Sequence, residues 1–132
     1  MRPALQTLGW VTVGMLGVVC VLTLRVAIAS GGSMAPALVS GDVCIAARTL
    51  TPRQGDIVLY ERTGDSPVLH RVIALDSNGD VWTAGDANQY VDYDPVPPQC
   101  VRGRVVVVFP LGRAVRNWMR CVRGATLLTQ SS

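Results

Sequence analysis

Apolar and polar positions divide this chain into three parts. From Ala4 to Leu24, 21 residues carry no charge and are mostly apolar. As an α-helix such a run is about 31 Å long, close to the hydrocarbon thickness of a bilayer. Ala27-Ile28-Ala29 before Ser30 has the small-x-small pattern of a signal-peptide cleavage site, so a retained anchor and a cleavable secretory signal compete. The run is longer than the usual apolar region of about 7–15 residues, and Arg25 interrupts the approach to the site, which favours the anchor. On both readings Arg2 and the terminal amine hold the N-terminus in the cytoplasm, and everything after Leu24 lies outside. Arg25, just past the span, pulls weakly the other way.

The middle of the chain has the pattern of strands. Val43–Ala47 and Asp56–Tyr60 are short apolar runs bounded by Gly, Pro and Asp. Val68–Leu75 and Val81–Thr83 flank Ser77-Asn78-Gly79-Asp80, where Asn-Gly predicts a hairpin. Val105–Phe109 is β-branched and stiff at χ1, which suits a strand. Prolines punctuate the connections, and no repeat or long linker divides the body. The expected fold is mostly β: a small antiparallel domain over residues 30–112, behind a single N-terminal transmembrane helix over 1–29.

Residues 113–132 form the third part. Arg113, Arg116, Arg120 and Arg123 recur at helical spacing on one side, with Val115, Trp118, Met119 and Val122 on another. This predicts a short basic amphipathic helix. It either lies on an anionic membrane surface or packs its apolar face on the body. Fraying is expected from Thr126 to Ser132.

Charge sharpens the division. The net charge of +3 is +2 over residues 1–25, −3 over 26–110 and +4 over 111–132. A mildly acidic body with basic ends argues against nucleic acid as a partner and for the lipid bilayer. All 12 basic residues are Arg. Without Lys there is no Schiff base, no Ser-Lys dyad and no phosphate-binding lysine. Cys20 lies in the apolar run, which leaves Cys44, Cys100 and Cys121 for at most one internal disulfide. Nothing has the spacing of a zinc pair, and neither metal nor cofactor is expected.

Candidate chemistry begins just after the span, at Gly31-Gly32-Ser33-Met34-Ala35-Pro36, followed by Gly41-Asp42. A serine beside glycines can expose its hydroxyl with a free N–H nearby, although a plain Gly/Ser linker has the same composition. His70, in Leu69-His70-Arg71-Val72, is the only imidazole and hence the one base of the usual kind. A lone histidine in an apolar strand is more often structural. Acids able to orient it follow in Gly85-Asp86-Ala87-Asn88 and at Asp92 and Asp94. Composition leaves Ser-His-Asp as one option.

The ordered set of motifs resembles type I signal peptidases, in the branch typified by archaeal, endoplasmic-reticulum and sporulation-type bacterial enzymes. The matching segments are Ser33-Met34-Ala35-Pro36, Gly41-Asp42, His70-Arg71, Gly85-Asp86-Ala87-Asn88 with Asp92, and Gly103-Arg104-Val105. They run in order from the N-terminus to about Gly112. The resemblance implies a membrane-bound serine endopeptidase that removes signal peptides from secretory preproteins after an Ala-x-Ala-like site. Ser33 is then the nucleophile and His70 the general base. Asp92 is favoured over Asp86 to orient the imidazole, with Asp94 third. Gly31, Gly32, Met34 and Leu69 are expected along the bound substrate, which adds as a strand. The translocation machinery is a further expected partner.

Gly31 stands where some relatives have a serine that helps bind the oxyanion, and Ala87 replaces a common Asn. The motif set also admits an inactive relative, or one dedicated to a single preprotein. The chain's own Ala27-Ile28-Ala29 raises the question of self-cleavage.

Overall fold

The computed structural model describes the backbone of residues 2–129 apart from Thr63, and their side chains except at 2–5, 122 and 124–129. Helix α1 spans Arg2–Thr23. Its segment Gln6–Thr23 is long and apolar enough to cross a membrane and is not buried by the rest of the chain. A signal sequence near an N-terminus meets the same criteria. Thr12 and Thr23 turn their hydroxyls back onto helix carbonyls, which satisfies them without water.

The apolar run does not continue as helix to Ala29. Leu24–Ile28 is instead β1, paired antiparallel with β2, Val43–Ala47. The reading of 1–29 as one membrane segment therefore gives way: five of its residues belong to the sheet. Val26, Ala27 and Ile28 gain ladder hydrogen bonds there that an isolated linker would leave to water. The Ala29 carbonyl accepts the Gly41 N–H at 2.9 Å, and the Ala29 N–H donates to the Asp42 carbonyl at 2.8 Å. These bonds build the peptide unit before Ser30 into the body, which argues against self-cleavage there.

Four more strands complete the sheet: β3 (Ile57–Tyr60), β4 (Val68–Leu75), β5 (Val81–Ala84) and β6 (Val101–Phe109). All pairings are antiparallel, in the order β1-β2-β6-β3-β4-β5. The Asn78-Gly79 turn joins β4 to β5 as expected. Asp76 accepts the N–H groups of Asn78 and Asp80 through its carboxylate, and Gly79 supplies φ +85°. Two small cores flank the site. One gathers Val58, Tyr60, Val72, Val81 and Val96, the other Ala29, Met34, Leu38 and Cys44.

Helix α2 runs from Leu111 to Thr129, so its chain is still helical where fraying was expected; residues 130–132 lie outside the description. Its root is held by backbone contact. Gly112 sits so tightly on Ser40–Asp42 that an added Cβ would fall 2.1 Å from the Ser40 carbonyl oxygen. Buried Asp42 accepts the Val39 N–H at 3.0 Å and the Arg113 N–H at 3.3 Å, the latter in the first turn of α2. A carboxylate there satisfies a free N–H and meets the positive end of the helix dipole. Beyond this turn the helix stands away from the body, with Val115 and Trp118 exposed. The packed alternative for the tail is not adopted.

Among the described residues Cys20, Cys44, Cys100 and Cys121 are all free thiols. Burial, and secondly the Asp42 charge, pushes the buried Cys44 thiol above the ordinary value of 9.0.

Candidate active site

Ser33 lies in the turn segment between β1 and β2. Gly31 takes φ +80°, a region costly for a side chain, which lets the chain reverse into the serine. Buried Met34 and Leu38 pin the segment to the core beneath, and the Leu38 N–H donates to the Met34 carbonyl at 2.9 Å. The Gly85–Asn88 turn holds it from above, where the Ala87 N–H donates to the Ser33 carbonyl at 2.8 Å. A Cβ on Gly85 would lie 2.5 Å from that oxygen, so only glycine permits this approach. Among the described residues nothing accepts the Ser33 N–H, which is left available beside its own hydroxyl.

His70 is on β4, paired with Val58 of β3, and is nearly buried. Its Nε2 lies 3.3 Å from Ser33 Oγ and its Nδ1 2.6 Å from Asp92 Oδ2. A carboxylate only accepts, so Nδ1 carries the proton and Nε2 is free to accept from the serine hydroxyl. Asp92 is held in turn. Its N–H donates to the Thr83 carbonyl at 2.8 Å, and Oδ2 accepts the Thr83 hydroxyl at 2.6 Å and the Tyr60 hydroxyl at 3.4 Å. The Tyr60 ring meets the His70 ring edge-on, with centroids 6.2 Å apart. Burial pushes the Tyr60 phenol up, against the lowering effect of Thr83, and nearby Asp92 adds to the rise.

Two acids of the same loop lie elsewhere. Asp86 makes a bidentate pair with Arg71, at 2.7 Å to both Nε and Nη2, and Arg71 Nη1 donates to the Gly55 carbonyl. This pairing, above all, raises the Arg71 pKa. The register Arg71↔Ala84 brings Asp86 to this arginine and not to His70. Asp94 is engaged by Arg62 at 3.5 Å. Three of the expected residues, Ser33, His70 and Asp92, thus form one hydrogen-bonded chain, and Asp86 stands outside it.

A serine hydroxyl, an imidazole and an oriented carboxylate in this relation can perform nucleophilic acyl transfer. The chain matches the family model described as signal peptidase, peptidase S26, over residues 4–108. This chain belongs to the signal peptidase S26 family. No curated protein matches it in sequence. The S26 family is one of serine peptidases, and the matched region takes in every residue of the hydrogen-bonded chain.

The S26 body also carries a groove of about 520 Å³ with Ser33 in its lining. One wall is the edge strand β1 with Ala27 and Ala29; the other is Ser66–Leu69, leading into β4. Of β4, only Arg71–Leu75 pairs with β5, so among the described residues the side of Val68–His70 facing away from β3 has no strand partner. Gly31, Met34 and Leu69 line this groove, whereas Gly32 does not; its carbonyl accepts the Ala35 N–H. Thr83, Tyr60 and Gly85 were not foreseen as site residues. A buried Thr in an apolar strand carries no sequence signal of its partner, while Gly85 opens the Gly85-Asp86-Ala87-Asn88 motif.

Proposed function

We propose that this S26 family member is a membrane-bound serine endopeptidase that removes signal peptides from preproteins, with Ser33 as nucleophile and His70 as general base. The observation that carries it is His70 held between Ser33 Oγ at 3.3 Å and Asp92 at 2.6 Å. His70 Nε2 takes the serine proton as Oγ attacks the scissile carbonyl, and returns it to the leaving amine. Water then attacks the acyl carbon as it gives a proton to the same nitrogen, and that proton passes to Ser33 Oγ as the C–Oγ bond breaks and the acyl group leaves as a carboxylic acid. Asp92 keeps Nδ1 protonated and offsets the charge that the imidazole gains. The unengaged Ser33 N–H is suited to the developing oxyanion.

The substrate would add as a strand between β1 and Val68–His70, since both offer unpaired backbone. Walls built from Ala27, Ala29 and Leu69 favour small side chains near the cut. Helix α1, taken as a retained anchor, ends ten residues before Ser33, with β1 between them, and so tethers Ser33 near the bilayer surface, where signal peptides end. This limits the search for substrate. The lack of Lys agrees with a His-based branch of the family.

The test is cleavage of a preprotein with an Ala-x-Ala site by the detergent-solubilised full chain. Sequencing of the product should place the new N-terminus directly after that site. Asp92→Asn should lower turnover by ~10²–10⁴-fold, with Asp86→Asn acting mainly on stability. Equal turnover in both variants and wild type would remove the reading of Asp92.

A further inference from the structure

The face of α2 that the body leaves uncovered has a definite chemistry. Leu111, Val115, Trp118 and Met119, at i, i+4, i+7 and i+8, are 53, 52, 67 and 41% exposed. Arg116, Arg120 and Arg123 form a second stripe along the same helix, and none has a side-chain partner among the described residues. No acid occurs from Leu111 to Ser132. An apolar stripe with an indole, bordered by arginines whose stems can reach past it to headgroups, suits the boundary of a bilayer.

We propose that α2 is a lipid-docking helix, lying on an anionic phospholipid surface with Trp118 in the acyl boundary and Arg116, Arg120 and Arg123 on headgroup phosphates. Charge complementarity selects this occupant over a second copy of the chain. The body's carboxylates are largely engaged: Asp56, Glu61, Asp86 and Asp94 pair with arginines, Asp92 with His70, and Asp42 is buried. Among the described residues only Asp65, in the β3–β4 connection, and Asp76 and Asp80, in the β4–β5 turn, are neither buried nor paired with a cation, so a partner copy offers its free carboxylates split between two turns and not as a stripe to match three arginines along a helix.

The surroundings of α2 point the same way. Paired residues of adjacent strands share a face, so the rows Ile28–Val43–Phe109 and Val26–Ile45–Val107 make one apolar surface. Val26 and Ile28 are among its most exposed members, and it lies between the end of α1 and the start of α2. The root of α2 is also fixed to the nucleophile segment. Besides the Asp42 bond, Arg113 Nη2 donates to the Pro36 carbonyl at 3.0 Å and to that of Ala37 at 3.3 Å. Docking α2 on lipid would then set the height of the Ser33 turn above the bilayer independently of α1. The proposal does not rest on peptidase activity and is read without it.

The test uses the full chain in vesicles of phosphatidylcholine alone or with phosphatidylglycerol, with acyl chains brominated so that they quench only an indole in contact with lipid. The quenching lost on Trp118→Phe isolates Trp118 from Trp10 and Trp82. The expected result is strong quenching of Trp118 with phosphatidylglycerol, weak quenching without it, and loss of the difference in Arg116→Gln/Arg120→Gln/Arg123→Gln. Trp118 unquenched in both vesicles would overturn the proposal. Equal quenching in both would also overturn it, since charge would then play no part. So would protection of Trp118 from aqueous iodide without lipid quenching, the sign of a protein cover.

Discussion

Asp92 does its work through one oxygen, Oδ2, which takes His70 Nδ1, Thr83 and Tyr60 together. Thr83 is fully buried, so its hydroxyl has no water to turn to, and its bond to the carboxylate is charge-assisted. Thr83→Val keeps the shape and deletes that donor. A bond of this kind contributes about 1.5–3 kcal/mol, so a lower melting temperature is expected together with a fall in kcat. A variant that melts lower but turns over normally would show that Thr83 serves the fold alone. Gly85→Ala acts by a different route. Its Cβ would collide with the Ser33 carbonyl and displace Ser33, and a misplacement of a reacting group by 1 Å costs on the order of 10²-fold in rate. Expected is a loss of kcat larger than the loss of stability, measured on the same preparation.

At the scale of elements, the β-branched runs and the Asn-Gly turn were readable, and most other connections were not. β2, the β4–β5 hairpin and the end of β6 follow from β-branched runs and an Asn-Gly turn. β1 was hidden because its residues continue an apolar segment whose length alone suits a membrane span. Asp92 was favoured over Asp86 only through the family resemblance, because both acids lie in one loop and it is the register of β4 against β5 that hands Asp86 to Arg71. Cys44 gives this level a pH test. Its folded pKa lies above the unfolded one, so its contribution to stability is full below about pH 9 and is lost as pH rises through the raised value. The native thiol should resist iodoacetamide at neutral pH and react once the sheet is unfolded, as read by mass spectrometry. Rapid native labelling of Cys44 would contradict its burial. The root of α2 is tested by Gly112→Ala. That methyl group meets the backbone of Ser40–Asp42, so a melting point several degrees lower is expected, well beyond the cost of an ordinary surface change.

At the scale of the whole molecule, two helices at opposite ends of the chain frame a sheet with an apolar outer face and a groove that Ser33 helps to line. Net charge foreshadowed this division, with basic ends around an acidic body, though not the contact between α2 and the segment that carries Ser33. That contact depends on two glycines, Gly41 and Gly112, meeting across 71 residues of sequence, and no local pattern signals it. The central claim is that Ser33 and His70 together cut signal peptides. It is tested most directly by preprotein cleavage with detergent-solubilised wild type, Ser33→Ala and His70→Ala, each first shown to melt like the wild type. The account predicts cleavage by wild type and at least a ~10³-fold loss in both variants. Equal cleavage by all three would contradict it.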